Sequence, residues 1–140
     1  MATFNKFHSF VEAEAEKVHN LGADTLKVLL TNTAPVATNT VKADLTEISA
    51  VNGYTAGGNT AAQSSSAQTS GTYKLVLADP ATWTASGGSI GPFRYAVLYN
   101  DTATSDELIG WWDYGSSITL AAGETFTVDF DATTGVLTKT

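Results

Sequence analysis

Between Gly91 and Phe130 the chain reads GPFRYAVLYNDTATSDELIGWWDYGSSITLAAGETFTVDF, and its apolar residues recur with a period of two. Phe93, Tyr95, Val97 and Tyr99 alternate with Arg94, Ala96 and Leu98, and Phe126, Val128 and Phe130 alternate with Thr125, Thr127 and Asp129. A period of two places one set of side chains on a core and the other outward, which is a strand pattern and not a helical one. This block predicts three strands and carries most of the aromatic residues. Each large apolar side chain it buries is worth roughly 1.5–3 kcal/mol, so the block is the expected centre of stability.

The rest of the chain adds strands around it. Leu26, Val28 and Leu30 alternate with Lys27, Leu29 and Thr31, giving a strand over 25–33, and 41–49 reads as a weaker one. Pro35 and the polar residues around it mark the loop between them. Asn52-Gly53 and Gly57-Gly58 are turn signals. The small, polar stretch 55–72 fits either a linker or an exposed edge; a strand over 61–68 is preferred, because long structureless loops are rare within small domains. Tyr73, Leu75 and Leu77 alternate with Lys74, Val76 and Ala78, residues 82–85 form a short aromatic strand around Trp83, and 136–139 closes the chain.

Residues 3–21 carry the helical pattern. Phe4, Phe7, Val11, Ala15 and Val18 recur at helical spacing, with Phe10 and Leu21 widening the stripe. Ser9 and Glu12 have capping-box spacing, and Gly22 is the expected C-cap with His19 near the helix end. Such a helix either packs on the sheets or presents its phenylalanines to another subunit. The sum is one domain over 1–140, with a helix at 3–21 and a β-sandwich at 25–140. The expected class is all-β: about eight or nine antiparallel strands with one N-terminal α-helix, accommodated by a jelly roll, which pattern alone does not separate from an immunoglobulin-like sandwich.

Charge and chemistry narrow the function. A net charge of −7 with only seven Lys and Arg argues against a nucleic-acid partner. No cysteine is present, which removes disulfides and thiolate metal sites and suits a reducing cytoplasm. Neither a signal peptide nor a run of ~18 apolar residues is visible, so a soluble protein with no membrane partner is expected. His8 and His19 lie about three helical turns apart without a third ligand, so no metal is expected. No GxSxG elbow or phosphate loop occurs, so neither an enzyme nor a cofactor is expected. The oxygen-rich loop 100–107 lacks EF-hand spacing and reads as a solvated hairpin loop. Trp111 and Trp112 are adjacent, so in a strand they point to opposite faces and at most one enters a given core. The other packs under the helix, meets a subunit, or stacks with Tyr114 on a sugar ring.

The opening FNKFHSFVEAEAEKVHNLGADTLKVLLTNTAPVATNT, the phrase GPFRYAVLYNDT and the later LIGWWDYGSSITLAAGETFTVDFD resemble the jelly-roll cement, or decoration, proteins of tailed-bacteriophage capsids, a podophage example above all. The resemblance covers nearly the whole chain and is weakest at 61–68. It implies a virion protein, made in the host cytoplasm, that binds the outer surface of the head. It would clamp neighbouring major capsid protein subunits without covalent bonds, as a homodimer. The partner-binding residues expected from the chain's own pattern are Phe4, Phe7, Phe10, Trp111, Trp112 and Tyr114. The alternatives are a carbohydrate-binding β-sandwich using Trp111, Trp112 and Tyr114, or a tail or fibre component of the phage.

Overall fold

The computed structural model describes residues 2–140. In chain order the elements are β1 (Asn5–Lys6), α1 (Ser9–Ala15), β2 (Leu26–Thr31), a 3-10 turn (Lys42–Asp44), β3 (Asn59–Thr60), β4 (Gln63–Thr69), β5 (Thr72–Leu77), β6 (Trp83–Thr84), β7 (Ile90–Asn100), β8 (Leu108–Leu120), β9 (Thr125–Phe126) and β10 (Leu137–Lys139). The fold is an all-β sandwich with one helix. Its strands are antiparallel throughout and form sheets ordered β1-β8-β7-β2-β3, β10-β5-β4 and β6-β9.

The five-stranded sheet is apolar on both faces of its centre. Leu26, Val28 and Leu30 of β2 join Leu75 and Leu77 of β5 and Trp83 of β6 in the main core. Leu29 points the other way, into a smaller core with Phe7, Val97, Tyr99 and Leu108. The connection from β2 to β3 closes over this second core: Leu45 packs on it, and the Tyr99 hydroxyl donates to the Gly57 carbonyl at 2.7 Å. Tyr54, in the same connection, donates to Glu47 Oε1 at 2.7 Å and accepts from the Leu30 N–H at 3.0 Å, tying the connection to β2. Burial and the adjacent Glu47 carboxylate push the Tyr54 phenol far above its ordinary range.

Two of the three irregularities in the β7–β8 ladder decide which side chains face which core. From Leu98↔Gly110 to Tyr99↔Leu108 the register advances by one residue on β7 and two on β8. Ile109 is the extra residue, so Leu108 and Trp111 share a face although they are three apart. From Phe93↔Ile118 to Tyr95↔Asp113, two residues on β7 oppose five on β8. This corrects the expected alternation: Phe93 lies in the main core with Ala96 and Leu98, opposite Val97 and Tyr99. A shift in pairing reverses the phase of a strand, and no pattern within one strand records it.

Three further expectations are corrected. The 3–21 segment is not one helix. Asn5 and Lys6 pair with Trp111 and Gly110, extending the sheet, and only Ser9–Ala15 is helical. Although α1 starts at Ser9, its N-cap is His8 and no side chain caps it, so the Ser9–Glu12 box does not form. The helix ends where Lys17 takes φ 67°, with the Lys17 N–H on the Glu14 carbonyl and the Val18 N–H on that of Ala13, a Schellman closure that leaves Gly22 outside it. Residues 41–49 form no strand. The Asp44 carboxylate accepts the N–H groups of Thr40 (2.8 Å) and Val41 (3.2 Å), which curls the chain into the 3-10 turn and holds the carboxyl below its usual range. Finally, the expected strand over 125–130 is regular only at Thr125–Phe126; the Phe130 N–H goes instead to the Asp79 carboxylate at 2.7 Å. The polar edge strand of the Ala-, Gln- and Ser-rich stretch is present as β4, shifted to Gln63–Thr69.

Candidate functional site

The six residues singled out from the sequence are dispersed by the fold. Phe7 is fully buried, its ring centroid 4.6 Å from that of Trp111. Phe10 is buried and stacks on His19 at 5.4 Å. Phe4 is half-buried and lies 5.3 Å from Trp112, which also touches Phe130 at 5.4 Å. The phenylalanines therefore do not share a docking face: each ring packs against an aromatic partner of its own chain. Trp111 and Trp112 take opposite faces, as adjacent strand residues must, and each is half covered. Tyr114 remains open, 54% exposed.

Trp112 and Tyr114 belong to an apolar groove that runs beside β8. The groove has a volume of about 380 Å³, with Phe93, Trp112, Phe126, Val128 and Phe130 as its apolar wall. Tyr114 lies at 5.9 Å from Phe126, and Phe93 meets the same ring edge-on at 4.9 Å. Irregular backbone makes this shape. The chain from Thr127 to Phe130 leaves the β6–β9 ladder and runs as an unpaired segment, so its side chains line a crevice and not a flat sheet.

An ion pair sits on the groove wall. Arg94 Nε donates to Asp113 Oδ1 at 2.7 Å and Nη2 to Oδ2 at 3.0 Å, a two-pronged contact. The guanidinium and the Gly115 N–H, at 2.8 Å, hold the Asp113 carboxyl below its usual range, and the carboxylate raises Arg94 in turn. The Arg94 guanidinium also lies 5.4 Å over the Tyr95 ring. With the fork satisfied, Arg94 is a fixed polar marker on an otherwise apolar wall. Among the described residues, Asp129 adds a charge near it, exposed on the opposite wall.

Phe126, Val128 and Phe130 entered the sequence reading only as a strand face. Their role as the second wall depends on where the β6–β9 pairing stops, which alternation does not encode. The oxygen-rich loop 100–107 uses its oxygens internally: Asn100 Oδ1 accepts the N–H groups of Thr102 (2.9 Å) and Ala103 (3.2 Å), Glu107 takes that of Ser105 (3.2 Å), and Asp101 pairs with Lys27 at 3.3 Å. Among the described residues no group of three or more His, Asp or Glu side chains is placed to hold a metal ion. No helix among them is long and apolar enough to cross a membrane. Compared with protein-family models, with curated proteins and with solved structures, the chain finds no match in any of the three.

Proposed function

We propose that this is a capsid cement protein of a tailed bacteriophage, which binds the outer surface of the head and holds neighbouring major capsid protein subunits together without covalent bonds. The observation that carries the reading is the apolar groove beside β8, where an exposed Tyr114 and a fixed Arg94–Asp113 pair frame an apolar wall. Aromatic and Arg side chains around an apolar recess are the groups that concentrate binding energy at protein interfaces. The sequence resemblance supplies the partner.

The homodimer has a natural seam in β4. Its seven residues form an exposed edge of the three-stranded sheet and carry no charge and no proline. Lys, Pro and inward charges are the usual guards against edge pairing, so this edge is open to a second strand. In a chain of net charge −7, an uncharged edge is where two copies meet with least repulsion. A sugar-stacking module, by contrast, needs several open rings on one face. Trp111 lies on the opposite face of β8 and Trp112, beside Tyr114, is half covered by Phe4 and Phe130, so the three rings do not form one open platform.

The test is to mix purified protein with undecorated, expanded phage heads. Saturable co-sedimentation and higher heat resistance of the decorated heads are expected. Tyr114→Ala should weaken binding by roughly ten-fold or more, the scale of an interface hot spot, without changing the protein's own stability. Absence of binding to heads with intact major capsid protein overturns the proposal. Binding to glycans that is lost in Tyr114→Ala would favour the carbohydrate reading instead.

A further inference from the structure

The N-terminal segment is fastened to the sheet at several points, among them β1 on β8 and the Gln63 Nε2 bonds to the Leu21 and Asp24 carbonyls at 3.0 and 2.6 Å, and one of the fastenings is a buried polar junction. His19 is 6% exposed, and its Nδ1 lies 3.0 Å from the Nδ2 of Asn100, which is fully buried at the end of β7. The partners of Asn100 fix the direction of that bond. Its Oδ1 already accepts two backbone N–H groups, from Thr102 and Ala103, so the amide cannot turn round. Its Nδ2 donates to Asp24 Oδ2 at 2.7 Å and has one hydrogen left, which goes to His19. Nδ1 must therefore accept. The proton of the neutral ring then sits on Nε2, which is buried without a partner.

The neighbouring bonds show what this junction holds. Asp24 Oδ2 also accepts the Asn20 N–H at 2.8 Å. The Thr25 N–H donates to Thr102 Oγ1 at 2.8 Å, and the Asp101 N–H donates to the Thr25 carbonyl at 2.9 Å. The turn over 20–25 is thus clamped to the start of the loop between β7 and β8. Phe10, stacked on the His19 ring, carries the connection into α1.

We propose that the His19–Asn100–Asp24 junction is an acid-sensitive latch, in which protonation of His19 releases residues 16–24, and α1 with them, from the β7–β8 loop while the sandwich stays folded. A second ring proton would land on Nδ1, facing the Nδ2 hydrogen of an amide that cannot turn. The contact is lost, and neither nitrogen of the charged ring then has an acceptor. The charged groups around the ring come from three sides: Glu14 from α1, Asp24 from the turn and Glu107 at the end of the β7–β8 loop, with Lys139 of β10 neutralising Glu14 at 2.7 Å. The three carboxylates favour the imidazolium, but burial of the ring outweighs them and lowers the His19 pKa below 6.5.

The closed form excludes the proton and the open form accepts it, so closure is at full strength above about pH 6.5 and weakens as pH falls towards the His19 value of the closed form. Opening should rise by up to about ten-fold per pH unit across that window and level off below it.

Hydrogen exchange on the full chain between pH 7.5 and 5, corrected for the intrinsic pH dependence of exchange, tests this directly. Amides of residues 16–24 should lose protection as pH falls, while those of β5 and β7 stay unchanged. The dependence should persist in His8→Gln and vanish in His19→Phe, which keeps a ring against Phe10 but has nothing to protonate. In the wild-type protein the His19 ring protons should titrate below pH 6.5. A pH dependence that survives in His19→Phe, core amides that open in step with 16–24, or a His19 midpoint at or above 6.5 would each overturn the latch. If His19→Phe does not fold, the wild-type exchange profile and ring titration decide it.

Discussion

Phe7→Ala separates a core residue from a docking residue more sharply than any other single change. The Phe7 ring is fully buried among Leu29, Val97, Tyr99 and Leu108, with Trp111 tilted against it at 4.6 Å. Truncating such a ring removes its burial and leaves a cavity, at a cost of about 3–5 kcal/mol. The second core has few other members to collapse into the space, which favours the upper half of that range. A chain of 140 residues unfolds with an entropy of about 0.3 kcal/mol/K, so the melting temperature should fall by about 10–17 °C. Thermal melts by circular dichroism, with urea unfolding to confirm an unchanged slope, give the number. Tyr114→Ala is the companion measurement, since at 54% exposure it should move stability by less than about 0.5 kcal/mol. If Phe7→Ala proved as stable as wild type yet failed to bind its partner, the ring would be a surface anchor and the second core as described here would be wrong.

Gly110→Ala should detach the N-terminal arm, because a Cβ there would stand 2.2 Å from the Phe4 ring and 2.8 Å from the Asn5 carbonyl oxygen. Loss of exchange protection at Asn5 and Lys6, with the β5 amides unaffected, is the expected result, and an unchanged arm would count against the β1–β8 pairing. Tyr54→Phe leaves the buried Leu30 N–H without an acceptor and removes one donor from Glu47, so it should cost about 1–3 kcal/mol by urea unfolding. Burial raises the phenols of Tyr54 and Tyr99 far above the ordinary value, so two of the five tyrosines should ionise only as the chain unfolds. Their stabilising effect is whole below about pH 10 and declines above it, which an alkaline ultraviolet titration run beside circular dichroism will follow.

The strands that were legible in the sequence are those whose alternation survives in one phase. In β2, Leu26, Val28 and Leu30 share the main core as their spacing requires, and Leu75 and Leu77 of β5 do the same. What escaped was set by partners distant in sequence. Phe4 and Phe7 are three residues apart, which in a helix is one face and in a strand is two. Across β8 stand Trp112 and Trp111, also on two faces, and they receive Phe4 and Phe7 respectively. The pairing of the two motifs decides for the strand, but neither motif does so alone. At 41–49 a local competitor prevailed, as the Asp44 carboxylate captured two backbone N–H groups that a strand would have offered to a neighbour. Tyr114 was visible as a candidate because it sits beside the tryptophans, whereas the opposite wall of its groove depends on the backbone leaving its ladder after Phe126.

The unmatched Ile109 lets β8 carry one residue more than a regular ladder holds without losing its phase. With the extra residue present, one strand supplies Leu108 and Trp111 to one core and Ile109 and Trp112 to the other. Removing Ile109 would leave Leu108 and Trp111 two positions apart, which is one face of a regular strand, so both tryptophans would keep their faces and their phenylalanines. What would be lost is the fully buried Ile109 side chain from the main core. A shortening by one residue here therefore costs the packing of one side chain and leaves the phase of the strand intact.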